Sequence, residues 1–155
     1  MKTNQKVVDS LNKLLACELT AIDVYFIHSR LYEDWGLNKL YERIDHEKDD
    51  EGLHADKLIR RILFLEGKPN IKTRLDYEVG DNVRDLLQFE LDLEYKNMDL
   101  LKESIRVCES ECDFASRDIL LELLKDTEED HIKWMEIQLE LIDKIGIERY
   151  QQSMM

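Results

Sequence analysis

Apolar residues recur at spacings of three and four along most of the chain, which is the period of an amphipathic helix. The pattern predicts a first helix over residues 7–35, stopped by Gly36, and a second helix over about residues 38–65. The second helix ends within residues 66–69, where a glycine followed by a proline is a usual stop signal. The first half therefore predicts two long helices joined by a short connection.

The second half repeats this arrangement after a stretch without periodicity, residues 69–80. Gly80 followed by Asp81 indicates the end of a loop and the N-cap of a third helix that starts near Asn82. A fourth helix begins in the polar stretch 109–113 and ends at Gly146, after which residues 147–152 can form one short extra helix. Two helix pairs joined by one long crossover predict an all-α four-helix bundle.

Composition supports this interpretation, because five glycines and one proline in 155 residues leave few turns for a sandwich or barrel. The length fits a single domain over residues 1–155. A formal net charge of −13 repels phosphate backbones and anionic membranes, so cations are better partners than nucleic acid or lipid. The sequence has no long apolar run and no recognisable leader, which favours a cytoplasmic location.

The three cysteines, Cys17, Cys108 and Cys112, are odd in number and lack the spacing of metal ligands. Cys108 and Cys112 lie four positions apart on one predicted helix, where a disulfide is poorly placed. We therefore expect buried free thiols.

Two Glu-x-x-His motifs, Glu51 with His54 and Glu128 with His131, fall on the second and fourth predicted helices. This spacing places a carboxylate and an imidazole on one helix face, a turn apart. A single such pair is common by chance, and a plain bundle with a solvated acidic exterior accounts for either motif taken alone.

Each preceding helix carries a glutamate inside an otherwise apolar stretch, Glu18 in the first and Glu94 in the third. Glu94 follows Glu18 by 76 positions, and His131 follows His54 by 77, so the two halves form an internal repeat. Equivalent residues on two helix pairs predict a site with pseudo-twofold symmetry in the bundle.

Four carboxylates and two imidazoles converging in a core are too costly without cations, because buried like charges lack solvation and repel. Two metal ions remove this cost. Glu18 and Glu94 would be terminal ligands, and Glu51 and Glu128 could bridge both metals. His54 and His131 would each bind one metal. Oxygen-rich ligation with one imidazole per metal suits iron or manganese.

At this point the chain resembles the bacterioferritins along its whole length. The shared segments, in the family's order, are Asn12-Lys13-Leu14-Leu15, Glu18-Leu19, Tyr25-Phe26-Ile27-His28-Ser29-Arg30, Trp35-Gly36-Leu37, His54-Ala55-Asp56, Arg61-Ile62-Leu63-Phe64-Leu65-Glu66-Gly67 and Ser116-Arg117-Asp118. The resemblance implies a ferritin-like bundle with a short fifth C-terminal helix, assembled into a hollow shell of 24 subunits. It also implies a ferroxidase that oxidises Fe(II) with O2 or H2O2 at a centre of two Fe ions and stores the ferric product. A ferredoxin-type reductant that releases the iron is a further candidate partner.

Gly52 is one departure from the haem-binding members, in which a methionine after the first motif glutamate ligates a haem shared across a twofold interface. Glycine offers no thioether, so we expect no haem b in the homopolymer. The chain is similar instead to a subgroup without that methionine, whose subunits can co-assemble in the family with haem-bearing ones.

Thr127 is the second departure, because it adds one residue before the second motif relative to haem-binding relatives. An extra residue rotates a helix by about 100° unless the backbone absorbs it. We therefore predict a π-bulge in the fourth helix near Glu128, since such bulges occur at functional sites.

Three further residues are candidates beside the di-iron ligands. His46 and Asp50 continue the ligand stripe along the second helix, and the resemblance suggests an inner-surface iron site there, against an ordinary pair on a polar face. Tyr25 lies seven positions after Glu18, where its phenol could hydrogen-bond a ligand glutamate, donate an electron or only pack in the core.

Two other functions stay open: a di-metal oxidase or peroxidase of the rubrerythrin type, and a helper subunit for a haem-bearing partner.

Overall fold

The computed structural model covers the chain, and residues 3–155 are described. It confirms an all-helical fold in that part of the chain. Its elements are α1 (Gln5–Asp34), α2 (Asn38–Phe64), α3 (Val83–Ser110), α4 (Phe114–Asp126), a π-helical turn (Thr127–Ile132), α5 (Lys133–Ile145) and α6 (Ile147–Ser153). Because α4, the turn and α5 continue one another, they form the fourth helix of the bundle, and α6 is the predicted short C-terminal helix.

Local signals explain the helix ends. The side chain of Asn82, one position after the predicted cap Asp81, accepts a hydrogen bond of 3.0 Å from the backbone of α3. Asp113 caps α4 in the same way. Gly36 after α1 and Gly146 between α5 and α6 have φ of 78° and 84°, a left-handed conformation that favours glycine.

The helices pack as two antiparallel pairs. α1 lies against α2 and α3, and α3 lies against α4, the π-helical turn and α5. The long crossover runs over α1, where the backbone amide of Leu75 donates to Thr20 Oγ1 at 2.9 Å and Arg74 Nε donates to Asp23 Oδ2 at 2.8 Å. The predicted bundle with one long crossover is therefore confirmed.

Two apolar clusters fill the bundle, and a polar layer separates them. One cluster includes Val7, Leu11 and Leu15 with residues of the C-terminal part of α2, and the other includes Tyr25 and Tyr32 with residues of the N-terminal part of α2. Each bundle helix passes from one cluster to the other through the layer. The predicted metal ligands fall in that layer.

The cysteine prediction is wrong for Cys112. Cys17 and Cys108 are buried free thiols, whereas Cys112 is exposed because α3 ends at Ser110 and Cys112 adopts φ of 56° in the following turn. Within residues 3–155, none of the helices combines the length and apolar character needed to span a membrane.

Candidate metal centre

Five of the six predicted ligands meet in the polar layer of the bundle. Glu18 of α1, Glu51 of α2 and His131 of the π-helical turn are fully buried, and Glu94 of α3 and His54 of α2 are at most 5% exposed. Each helix of the bundle supplies at least one of them, so residues far apart in the chain form one buried cluster.

The five side chains divide into two groups that share Glu51. Glu18, Glu51 and His54 form one group, and Glu51, Glu94 and His131 form the other, with the ligand atoms of each group within 4.8 Å of one another. The two imidazole rings lie nearly parallel, with centroids 5.7 Å apart. Each group offers one imidazole, and the shared carboxylate lies where a ligand bridging two metals is needed.

The ligand atoms of this cluster are short of hydrogen bonds. Five of them are buried without a partner of acceptable hydrogen-bond geometry among the described residues: Glu18 Oε2, Glu51 Oε1, Glu51 Oε2, Glu94 Oε2 and His54 Nδ1. Buried polar atoms normally have partners, so such a concentration needs an explanation. Divalent cations supply one, because these oxygen and nitrogen atoms are the donors that iron and manganese prefer.

Charges in the cluster depend strongly on one another. Burial opposes charge on Glu51, but the neighbouring His131 and His54 outweigh it and lower the pKa of this carboxyl to about 2. Burial, and next the charge of Glu51, raise the pKa of Glu94 to about 7. Against burial, Glu94, Glu47 and Glu51 raise the pKa of His131 far above its usual range. A metal ion bound to this imidazole would replace its proton, so binding is coupled to proton release.

Two hydrogen-bond donors orient the terminal carboxylates. The Tyr25 hydroxyl donates to Glu94 Oε1, which is one of the contacts considered for this phenol in the sequence analysis. Asn97 Nδ2 donates to Glu18 Oε1 at 3.0 Å. Each terminal glutamate thus keeps its second oxygen free for a cation.

The predicted π-bulge is confirmed. Residues Thr127–Ile132 form a π-helical turn between α4 and α5, directly over the second motif. The turn absorbs the extra residue, and it buries Thr127 and His131 while leaving the fourth helix continuous.

Glu128, the sixth predicted ligand, is not brought together with the other five. Its side chain is 44% exposed, and its nearest ion-pair partner is Lys102 Nζ at 3.9 Å. The wider turn directs it outward, and Asp126 lies against the cluster instead, with Oδ2 at 2.7 Å from His54 Nε2. Asp126 was missed because it lies outside both motifs.

A third group lies beside the centre and includes residues that the motif search missed. Glu47, Asp50, Asp130 and His131 place ligand atoms within 4.8 Å of one another, and Glu47 is fully buried. Glu47 precedes Glu51 by four positions, so helical spacing was a usable signal. Of the predicted inner-surface pair, Asp50 belongs to this group, whereas His46 is 66% exposed and lies 3.4 Å from Asp50.

Gly52 is exposed on α2, whereas its neighbour Glu51 is buried. A Cβ atom added at Gly52 would have no heavy atom of the described chain within 4 Å. A larger side chain at this position would therefore extend away from the bundle core.

Comparison with known proteins agrees with this geometry. The sequence matches the family described as a ferritin-like domain over residues 8–145. It is 55% identical over 155 residues to a bacterial ferritin of Synechocystis sp., covering 100% of this chain and 99% of that protein. A bacterial ferritin of Pseudomonas aeruginosa is 51% identical over 153 residues, covering 99% of each chain. A bacterioferritin of Brucella melitensis is 43% identical over 152 residues, covering 98% of this chain and 94% of that protein. With its helical bundle and its buried groups that could hold metal ions, the chain belongs to the ferritin family.

Proposed function

We propose that this protein oxidises Fe(II) and stores the ferric product, with O2 or H2O2 as the oxidant. The observation that carries the proposal is the pair of buried carboxylate and imidazole groups that share Glu51. Two Fe(II) ions bound there give up one electron each. Together they supply the two electrons that, with two protons from solvent, reduce O2 to H2O2 or H2O2 to two molecules of water.

The residues of the cluster have distinct parts in this reaction. Glu51 holds both iron ions close together, and Glu18 with His54 and Glu94 with His131 hold one ion each. The Tyr25 hydroxyl keeps Glu94 in place and lies close enough to supply an electron. Loss of a proton from His131 offsets part of the positive charge that the iron bound to this imidazole adds.

Glu128 completes the site in this proposal by turning inward when iron binds. Its exposure supports such a movement, because the side chain is 44% exposed and its ion pair with Lys102 Nζ, at 3.9 Å, is a weak surface contact. Asp126 is the competing candidate, since it already contacts His54.

The proposed assembly is a cytoplasmic shell of 24 subunits with iron stored inside. The acidic net charge of −13 supports iron as cargo, because it attracts Fe²⁺ to the protein. Gly52 supports a homopolymer without haem, and a mixed shell would take haem only from a methionine-bearing partner subunit. Native mass of about 24 times 18.5 kDa, with an electron-dense core after iron loading, would support storage. A monomer or dimer would favour the small di-metal oxidase instead.

Stopped-flow absorbance after aerobic addition of Fe(II) tests the chemistry. The wild type should show an early oxidation phase of about two Fe per subunit. The His131→Ala variant should lack this phase, because one ion loses its imidazole. An unchanged early phase in His131→Ala would contradict the proposed centre.

A second comparison tests the sixth ligand. Glu128→Ala should lose the early phase, whereas Glu129→Ala, the same change at the neighbouring exposed position, should retain it. Loss of the phase in Asp126→Ala but not in Glu128→Ala would instead assign the sixth carboxylate to Asp126.

A further inference from the structure

Arg43 lies beside the metal centre on α2, although it has no place among the predicted ligands. Its Nε donates to Glu47 Oε1 at 2.7 Å, and its Nη2 donates to Asp130 Oδ1 at 3.1 Å. Nη2 also donates to the backbone carbonyl of Asp130 at 3.3 Å, and the guanidinium lies 4.6 Å from the ring centroid of Trp134. One side chain therefore ties α2 to the π-helical turn and to α5.

The remaining carboxylate oxygens of these two partners face His131. Glu47 Oε2 lies 2.7 Å from His131 Nε2, and Asp130 Oδ2 lies 3.8 Å from the same nitrogen. Because Glu47 is fully buried, its charge needs close partners, and Arg43 provides one at Oε1, the oxygen that does not face His131. Arg43 and His131 thus hold opposite oxygens of one carboxylate.

The two nitrogens of the His131 ring face different surroundings. Nδ1 lies 2.7 Å from Glu51 Oε1 and 3.2 Å from Glu94 Oε1, which places it among the proposed ligands. Nε2 faces Glu47, which is fully buried and belongs to the third group of ligand atoms. The ring is therefore held between the metal position and a carboxylate that Arg43 fixes.

We propose that Arg43 is a positioning residue for the second metal position and acts on His131 through Glu47 and Asp130. With the guanidinium in place, Glu47 keeps one oxygen against Nε2, so that the ring presents Nδ1 to the metal. A metal-binding histidine usually donates its other N–H to such a carboxylate, and loss of that support lowers metal affinity by about 10- to 100-fold. A guanidinium contacts both carboxylates at once, which the single ammonium of lysine does less well. This inference rests on the proposed metal centre.

The direction in which metal affinity changes when Arg43 is replaced distinguishes a positioning role from a purely electrostatic one. Removing a positive charge next to a cation site favours cation binding by itself. Positioning predicts the opposite, because Glu47 and the π-helical turn lose their fixed orientation. Weaker metal binding in an Arg43→Gln variant would therefore indicate that Arg43 positions the site.

Calorimetric titration with Co²⁺ in place of Fe²⁺ tests the proposal without the oxidation reaction. In a His54→Ala background, where the ion held by His131 is the main one left, Arg43→Gln should weaken binding about 10- to 100-fold. In a His131→Ala background the same change should have little effect. Arg43→Lys should lose less affinity than Arg43→Gln. The control is Arg60→Gln, which removes an exposed arginine of the same helix whose Nε lies 2.8 Å from Asp56.

Three outcomes would overturn the role of Arg43: equal Co²⁺ affinity with and without Arg43→Gln, tighter binding in that variant, or an equal loss in both histidine backgrounds. Circular dichroism of each metal-free variant checks the fold, and Arg43→Lys provides the comparison if Arg43→Gln does not fold. Failure of the wild type to bind about two Co²⁺ per subunit would instead contradict the metal centre itself.

Discussion

His28 and Glu90 form a buried pair outside the proposed metal ligands. Replacing one partner measures how much stability the bundle loses when the other is left unpaired. His28 Nδ1 lies 2.8 Å from Glu90 Oε1, and both side chains are fully buried. The Tyr32 hydroxyl donates to the same oxygen at 3.1 Å. His28 Nε2 and Glu90 Oε2 have no hydrogen-bond partner among the described residues, so each group depends mainly on the other.

His28→Leu keeps a side chain of similar volume and, among residues 3–155, leaves Glu90 with Tyr32 as its only hydrogen-bond donor. Breaking a buried pair by removing one partner costs about 3–5 kcal/mol, because the remaining charge is uncompensated. For a chain of this size 1 kcal/mol shifts the melting temperature by about 2–4 °C, so we expect a fall of about 6–20 °C. Replacing both residues by leucine should recover most of this loss, since an apolar pair needs no partner.

Differential scanning calorimetry of the metal-free protein, at fixed protein concentration and with chelator, measures these shifts. His46→Leu is the matched control, because this histidine is 66% exposed and lies 3.4 Å from its carboxylate partner Asp50. An exposed pair contributes about 0–1 kcal/mol, so the control should change little.

The loss in His28→Leu should also depend on pH. Burial raises the pKa of Glu90, and His28 and Tyr32 partly oppose this shift. Without His28 the pKa rises further, and a carboxyl whose folded pKa is raised loses stability as pH increases through that value. The variant should therefore be closer to the wild type at pH 4 than at pH 7. A drop below about 2 °C at pH 7 would refute the reasoning, because it would show that Glu90 is not charged in the folded protein.

Three other predictions concern helix propensity, thiol reactivity and capping. Gly52→Ala should raise the melting temperature by about 1–4 °C, because an exposed glycine inside a helix costs about 0.5–1 kcal/mol relative to alanine. A lower melting temperature in the variant would show that the position is covered in the assembly. At pH 8 a thiol reagent should modify Cys112 alone, because Cys17 and Cys108 are buried. Burial also raises the pKa of Cys108 to about 11. Fast labelling of two or more thiols would contradict this burial. Asp113→Ala should cost about 1–2 kcal/mol at pH 7 in urea unfolding. Against burial, its partners hold the pKa of Asp113 below its usual value, so this cost should shrink as pH falls below about 4, and a cost independent of pH would exclude a charged cap.

The sequence predicts the helices well because one period dominates each of them. Their ends deviate by only a few residues, and the cap of α3 is Asn82 rather than Asp81, a neighbour of similar chemistry. The π-helical turn could also be predicted, because the extra residue Thr127 had to be absorbed somewhere before His131. This prediction depends on the resemblance to haem-binding relatives, which lack the extra residue, and not on periodicity.

Sequence reasoning fails at polar residues that the fold buries away from any motif. Glu47 and Glu90 are fully buried, yet isolated glutamates on a helix are usually exposed. Each lies four positions before a proposed ligand, Glu51 or Glu94, so the polar face of the helix extends one turn further than the motifs indicate. Their partners Arg43 and His28 come from a neighbouring turn and from another helix, and only the packed bundle brings them together.

The π-helical turn confines the irregularity of the fourth helix to the segment that carries the site, and the core beyond it keeps its register. An extra residue in a regular α-helix would rotate everything beyond it by about 100°. The apolar stripe would then turn away from the bundle, yet Met135, Leu139 and Ile142 of α5 are all buried. The turn therefore restores the register of the core within six residues, and the irregularity is confined to the segment that carries His131 and Glu128. Because π-bulges occur frequently at functional sites, the location of this turn beside the proposed metal ligands links the irregularity to function.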